Sequence, residues 1–370
     1  MKIHARTRLL LRYLIPIIVI MTGVPFLERT LEEPEPFGRD TLRCVIAIPD
    51  KTASMSYPIG YNYEMLKLFV LETGREADIF TGGEDYADSL SDDKIDILVI
   101  PFRDSLITDE RYYASSPLAD SSSWLCNGRL KAAHKEINLW LGHFLLSNEH
   151  KELVARFTPS YDPSYMARSG KRYSSLSPYD KLISEYAADL GWDKNMLTAL
   201  IWEESQFRIE AKSRRGAIGL MQVMPLTGSR FEADNLLDPK ENIRAGVSYL
   251  SHIQRIFKSK GLEGEELMKF TIAAYNAGEG RILDCMNYAK AKGVSHSSWD
   301  ELTAVIPDMG KDEILENDSV RLGKFKGVET MAYVEKVSRL YGHLNSATGS
   351  VQSSQDRHRT RKDTAEASVR

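Results

Sequence analysis

Ala199-Leu-Ile-Trp-Glu-Glu-Ser-Gln-Phe207, followed by Gly216-Ala-Ile-Gly-Leu-Met-Gln-Val-Met-Pro225, is the stretch from which the rest of the sequence can be read. Its first part has helical spacing. At about 100° per residue, Leu197, Leu200, Ile201 and Glu204 fall on one stripe, which puts a carboxyl group on the face expected to be buried. Glu203 points away from that stripe, beside Met196 and Ala199. A buried acid with no evident cationic partner holds its proton to higher pH, because desolvation penalises the charged form. A carboxyl still protonated near neutrality is what a general acid requires. The second part suits the wall of a cleft. Gly216 and Gly219 let the backbone turn and approach a ligand closely. Gln222 places a donor and an acceptor among apolar Leu220, Met221 and Met224. A lone helical glutamate is more often a partner of Lys or Arg; the segment that follows Glu204 weighs for chemistry instead.

At 370 residues the chain has room for two domains. Its 42% hydrophobic and 27% charged residues are ordinary for a globular protein, and a net charge of −4 argues against a general nucleic-acid binder. Cys44, Cys126 and Cys285 show no metal-binding spacing, and at least one stays unpaired within a monomer. There is no HExxH motif and no phosphate-cradling glycine loop, so the expected chemistry uses neither metal nor cofactor.

Residues 1–28 read as an export segment: Lys2, Arg6, Arg8 and Arg12 precede a short apolar run from Leu14 to Val24. The run is short for a bilayer span, and no small-x-small cleavage site stands out, so a cleaved signal peptide and a retained membrane anchor both remain open. Residues 29–40 read as a linker. Residues 41–158 read as a first folded unit: strand Leu42–Ile48, helix Asn62–Thr73 ending at Gly74, strand Ala77–Phe80, helix Glu84–Asp92 and buried strand Ile95–Ile100. That alternation predicts a βαβ layer with a parallel sheet. A strand at Ser123–Cys126 and helices near 131–146 and 148–157 follow. Residues 159–176, rich in Ser, Tyr, Pro and Gly, read as a second linker.

Ser177-Pro178 then predicts a helix start, with Tyr179, Leu182, Ile183, Tyr186, Ala187 and Leu190 as its stripe and Gly191 as its end. Asp193 is expected to cap the helix that carries Glu204. Further helices are expected after Asp238-Pro-Lys-Glu-Asn242, from Glu265 to Tyr275, and from Thr330 to about Leu344. Asn276-Ala-Gly-Glu-Gly280 predicts a sharp bend just after Tyr275, a side chain able to stack on a sugar or simply to pack in the core. Residues 345–370 are polar and read as a disordered tail.

Two resemblances follow from these residues. Residues 41–158 are similar to one lobe of a periplasmic solute-binding domain, on Gly60-Tyr-Asn-Tyr-Glu-Met65, Lys94-Ile-Asp-Ile97 and Tyr113-Ala-Ser-Ser-Pro-Leu118. The second lobe has no counterpart between Leu118 and Trp124, so a structural or docking role is expected before ligand binding. Residues 177–344 resemble the catalytic domain of lytic transglycosylases of the soluble, goose-lysozyme-like type. The matching motifs, in order, are Glu204-Ser205, Gly216-Ala-Ile-Gly-Leu-Met-Gln222, Asn242-Ile243 with Gly246 and Tyr249-Leu250, Ala273-Ala-Tyr-Asn-Ala-Gly278, and Glu329-Thr-Met-Ala-Tyr-Val334. The pair of domains looks most like the membrane-bound murein transglycosylase F group with a shortened front domain. The expected architecture is therefore an α/β single-lobe unit followed by a mainly α lysozyme-like unit.

The resemblance implies cleavage of the β-1,4 bond between N-acetylmuramic acid and N-acetylglucosamine in peptidoglycan without water, leaving 1,6-anhydromuramic ends. It implies Glu204 as the acid and base, and substrate contacts from Ser205, Gly219, Leu220, Met221, Gln222, Met224, Tyr275, Asn276 and Tyr333. It also implies an exported, periplasmic protein, with the membrane as a partner if residues 1–28 are retained, and a front unit that takes a muropeptide, a small solute or a protein. Two other readings stay open: a muramidase hydrolase on the same fold, with Glu203, Glu279 or Asp284 as a second carboxylate, and a non-catalytic peptidoglycan-binding or sensor protein.

Overall fold

The computed structural model describes residues 36–48, 58–83, 86–103, 105 and 109–349. The export segment 1–28, the start of the 29–40 stretch and residues 350–370 of the tail lie outside the described residues. The described chain forms two compact units, one of residues 36–48 and 62–151, the other of residues 58–61 and 152–349. Among the described residues no helix is long and apolar enough to cross a membrane.

The first unit is built on a sheet of β1 (Thr41–Ala47), β2 (Glu76–Gly82), β3 (Ile97–Pro101), β4 (Tyr112–Ala114) and β5 (Ser122–Asn127), in the spatial order β2-β1-β3-β5-β4. β1 lies parallel to β2 and β3, as the strand–helix–strand order dictates, while β5 runs antiparallel to β3 and β4. Helices α1 (Ile59–Glu72), α2 (Tyr86–Ser91) and α3 (Lys131–Phe144) cover its faces, and α4 (Asn148–Phe157) follows. With both faces covered, every residue of β3 and β5 is buried. Phe69, Trp124, Trp140 and Phe144 form a contiguous aromatic group with centroids 4.6–5.8 Å apart from pair to pair. Another cluster packs Val45, Ala47, Leu98 and Leu125 with Leu90 of α2 and Tyr112.

β4 was not expected as a strand: three residues carry too little alternation to signal one, and Tyr113–Leu118 reads as a connection. The end of the 29–40 stretch is not a free linker either. Phe37 is buried edge-on to Phe69, centroids 6.4 Å apart, and Arg39 pairs with Asp96 at 3.4 Å.

The second unit is helical: α5 (Pro163–Arg168), α6 (Asp180–Leu190), α7 (Lys194–Ser205), α8 (Pro225–Arg230), α9 (Pro239–Lys258), α10 (Gly264–Ala277), α11 (Glu279–Ala291), α12 (Trp299–Val305) and α13 (Gly327–Thr348). α7 packs between α6 and α13. Met196 to Ile201 are all buried, so α7 has no single apolar stripe; Met196 and Ala199, on the side assigned to Glu203, are as enclosed as Leu200. Asp193 caps it, accepting from the Asn195 N–H at 2.7 Å, and Gly191 ends α6 at φ 71°.

Within residues 159–176 the chain forms α5, which packs on α13 with Met166 buried. Asp162 caps it through the N–H groups of Ser164 and Tyr165 at 2.7 and 3.1 Å, ahead of Pro163. That Asp-Pro start is a helix signal, masked in the sequence by the loop-like composition around it. α6 begins at Asp180 rather than at Pro178. Ser177 instead makes the preceding turn: its Oγ accepts from the Tyr179 N–H at 3.1 Å and donates to Asp180 Oδ1 at 2.9 Å.

Candidate active site

The loop from Gly216 to Gln222 is shaped by one side chain on α9. Asn242 is fully buried; its Nδ2 donates to the carbonyls of Ile218 and Leu236 at 2.9 and 2.8 Å, and its Oδ1 accepts from the Met221 N–H at 2.8 Å. Gly219, at φ 79°, lies so close that a Cβ there would stand 2.2 Å from Asn242 Nδ2. Its close approach is thus to Asn242, whereas the sequence suggested a ligand. Gln222 sits at φ 49° and spends its Nε2 on the carbonyls of Ala211 and Gly219, both at 3.0 Å. The loop is a rigid, internally bonded wall.

Glu204 sits one residue before the end of α7, where Gln206 and Phe207 turn the chain at φ 54° and 62°. The Tyr333 hydroxyl of α13 donates to Glu204 Oε1. Tyr275, near the end of α10, donates its hydroxyl to the Met221 carbonyl at 2.7 Å, which ties α10 to the loop. Both phenols sit high above the usual tyrosine range through burial and then Glu204's charge, so both remain donors. Burial pushes the Glu204 carboxyl up to about 7; the Tyr333 hydrogen bond acts against this and the charge of Glu203 adds to it. The sequence-level inference of a desolvated acid therefore matches the surroundings of this side chain, although Glu204 is not walled off from solvent.

Other residues singled out from the sequence are placed differently. Ser205 is buried and its hydroxyl donates to the Ile201 carbonyl of its own helix at 3.2 Å. Leu220 and Met221 have fully buried side chains, and Met221 joins the cluster through its carbonyl. Met224 is exposed at the start of α8. Asn276 is exposed, and its Oδ1 accepts from Thr330 Oγ1 at 2.9 Å.

The acids offered as second carboxylates are engaged. Glu203 pairs with Lys336 at 3.1 Å, Glu279 accepts from the Tyr249 hydroxyl at 2.8 Å, and buried Asp284 accepts the N–H groups of Arg321 and Leu322 at 3.1 and 2.7 Å. Glu210 also holds its proton more tightly through burial, but its electrostatic neighbours are its own backbone and Arg208, not the Glu204 cluster. Sequence reading missed the ring of Tyr249, 5.6 Å from that of Tyr275, and the loop-shaping role of Asn242. Asn242 was visible only as a motif position, because its partners lie across long sequence separations.

This helical scaffold places one desolvated carboxyl beside buried phenols and a glycine–glutamine wall. Residues 181–297 match the family model described as Transglycosylase SLT domain, so the second unit carries an SLT domain of lysozyme-like fold. The match spans Glu204, the loop and Tyr275, while Tyr333 lies beyond it. The chain is 34% identical over 171 residues, 46% of its length and 35% of the relative's, to a membrane-bound lytic murein transglycosylase F of Shewanella loihica. A protein of the same name from Desulfosudis oleivorans is 26% identical over 274 residues, 71% of this chain and 60% of that one. Among solved structures, lytic transglycosylase Slt from Pseudomonas aeruginosa, as an inactive mutant, is 28% identical at a TM-score of 0.32, covering 45% of this chain and 24% of that one. The chain thus spans about a third of the length of the Shewanella relative.

Proposed function

We propose that the chain is a peptidoglycan lytic transglycosylase, cleaving the bond between N-acetylmuramic acid and N-acetylglucosamine to leave 1,6-anhydromuramic ends. The observation that carries this reading is Glu204: a carboxyl raised to about 7 by burial, accepting from the Tyr333 hydroxyl, in an SLT domain. Protonated Glu204 gives its proton to the glycosidic oxygen as the C1–O bond breaks. The substrate's N-acetyl carbonyl stabilises the cationic C1. The carboxylate, held by Tyr333, then takes the proton of the C6 hydroxyl as that oxygen closes on C1. No water enters and Glu204 regains its proton. The engagement of Glu203, Glu279 and Asp284 favours this route over hydrolysis, which ordinarily needs a second carboxylate across the bond. In this reading Gln222, Tyr275, Asn276 and Tyr333 line or shape the cleft with Gly219–Met221 behind them, and Met224 reaches it from the rim. Ser205 supports the end of α7 from its own helix.

The front unit, in this reading, is a one-lobed solute-binding-like module that positions or regulates the SLT domain. The protein works in the periplasm, with residues 1–28 serving as a cleaved signal peptide or, if retained, as its membrane anchor. The relatives are named membrane-bound, which supports the membrane association.

The test is mass spectrometry of muropeptides released from purified peptidoglycan by the full chain and its Glu204→Gln variant. Anhydro products that vanish in the variant uphold the reading; products one water heavier make the protein a hydrolase, and none from either makes it a binding protein. If residues 152–349 alone kept full activity and localisation, the front unit's role would be lost.

A further inference from the structure

Beside the Glu204 cluster lies a cavity of about 260 Å3 whose lining is dominated by cations: Arg215, Arg281, Lys324 and Lys326, together with Asn276 and Thr330. In a chain of net charge −4 this is a local reversal of sign. Its far wall is built rather than loose. Asp284 holds the N–H groups of Arg321 and Leu322, and Arg281 donates to the Lys324 carbonyl at 2.9 Å with its guanidinium 5.5 Å from the Phe325 ring centre. Lys324 is partly neutralised by an ion pair with Asp312. Among the described residues Arg215 and Lys326 pair with no carboxylate, and Glu329 is the single acid in the lining. Two unpaired cations beside a rigid concave wall are a recognition site for an anion, and a guanidinium suits a carboxylate's two oxygens.

Which anion follows from where the cavity sits. Asn276 and Thr330 belong both to its wall and to the hydrogen bond next to the active-site cluster, and Tyr333 lies one turn further along α13. An occupant is therefore within reach of the molecule that Glu204 acts on. On the reading proposed above, that molecule is a glycan whose anionic groups are the carboxylates of the peptide carried on the muramic lactyl arm or, where the peptide is absent, the lactyl carboxylate itself, which the peptide-free ligand below presents. We infer that the Arg215–Lys326 cavity takes a carboxylate of that peptide, so that the enzyme distinguishes peptide-bearing from bare glycan. This inference rests on the peptidoglycan reading for its ligand, while the basic cavity stands without it.

The test uses the full chain carrying Glu204→Gln, so that no ligand is consumed. Three ligands are titrated by calorimetry: a muramic-acid-containing tetrasaccharide with free-acid peptides, the same with its peptide carboxylates amidated, and the peptide-free sugar. The free acid is expected to bind about tenfold tighter than the other two, in the range of a charge-assisted contact discounted for partial exposure. The difference should shrink as salt rises from about 0.05 M to about 1 M. Arg215→Ala with Lys326→Ala should abolish it, and Arg214→Ala, a nearby surface cation, should leave it intact. Equal affinities in the parent, or a difference that survives the double substitution, would overturn the inference. Cleavage of peptide-bearing strands by the unsubstituted chain is measured alongside. Cleavage with equal affinities sinks the cavity alone; a carboxylate difference without cleavage by the unsubstituted chain sinks the lyase reading alone.

Discussion

Each unit draws a carboxyl side chain in from solvent, Asp120 fully and Glu204 in part, and the two are treated in opposite ways. Asp120 in the front unit is fully buried and wrapped by donors: Asn62 Nδ2 at 2.6 Å, the Ser122 N–H at 3.1 Å and the Ser122 hydroxyl at 2.6 Å. Glu204 in the SLT unit is desolvated though only half-buried, accepts from the Tyr333 hydroxyl, and feels the charge of Glu203. A carboxyl supplied in this way is a structural knot, tied to Asn62 and Ser122, which also bond each other at 3.3 Å. An under-supplied one keeps its proton near neutrality and can hand it on. The two differ in donor supply, three donor groups at Asp120 against the Tyr333 hydroxyl at Glu204.

The comparison breaks most visibly at Glu204. Glu204→Gln should lower turnover by about a thousandfold or more while far-UV circular dichroism stays unchanged. Asp120→Ala should do the reverse. Removing the acceptor that the Asn62 amide and the Ser122 N–H share in a buried site should cost about 2–4 kcal/mol in urea unfolding, with turnover by the folded fraction preserved. Tyr333→Phe probes the hydroxyl that donates to Glu204. Turnover should fall about 10- to 100-fold. Since the hydroxyl favours the charged carboxylate, its loss should move the alkaline limb of the pH–rate profile upward from near pH 7.

The smallest effect is on stability. Glu204's folded-state pKa of about 7 lies above its unfolded value, so the folded state holds the extra proton between the two. Its contribution is fully present below the unfolded value and is lost as pH rises through about 7. Glu204→Gln should therefore melt with the parent near pH 4 and be more stable above pH 7, by on the order of 1–3 kcal/mol.

Local signals carried much of this into the sequence. Asp193 and Gly191 mark the ends of their helices by side-chain chemistry and left-handed backbone, and the α1 and α10 periodicities place those helices within a few residues. Glu204 stood out because its helix neighbours are apolar. What depends on distant partners was not legible. Asn242 acts on residues up to 24 positions away, Ser205's hydroxyl turned back onto its own helix, and the Tyr249–Glu279 bond joins two helices. The short α5 and β4 were hidden by loop-like composition and by brevity.

The most direct measurement of the central claim is to let the full chain act on peptidoglycan in water enriched in oxygen-18 and weigh the new muramic ends. With Glu204 serving as the one acid and base and the substrate's own C6 oxygen closing the ring, those ends should be anhydro and carry no label. Labelled ends, heavier by one molecule of the enriched water, would mean that a water is activated in the site and would contradict the account.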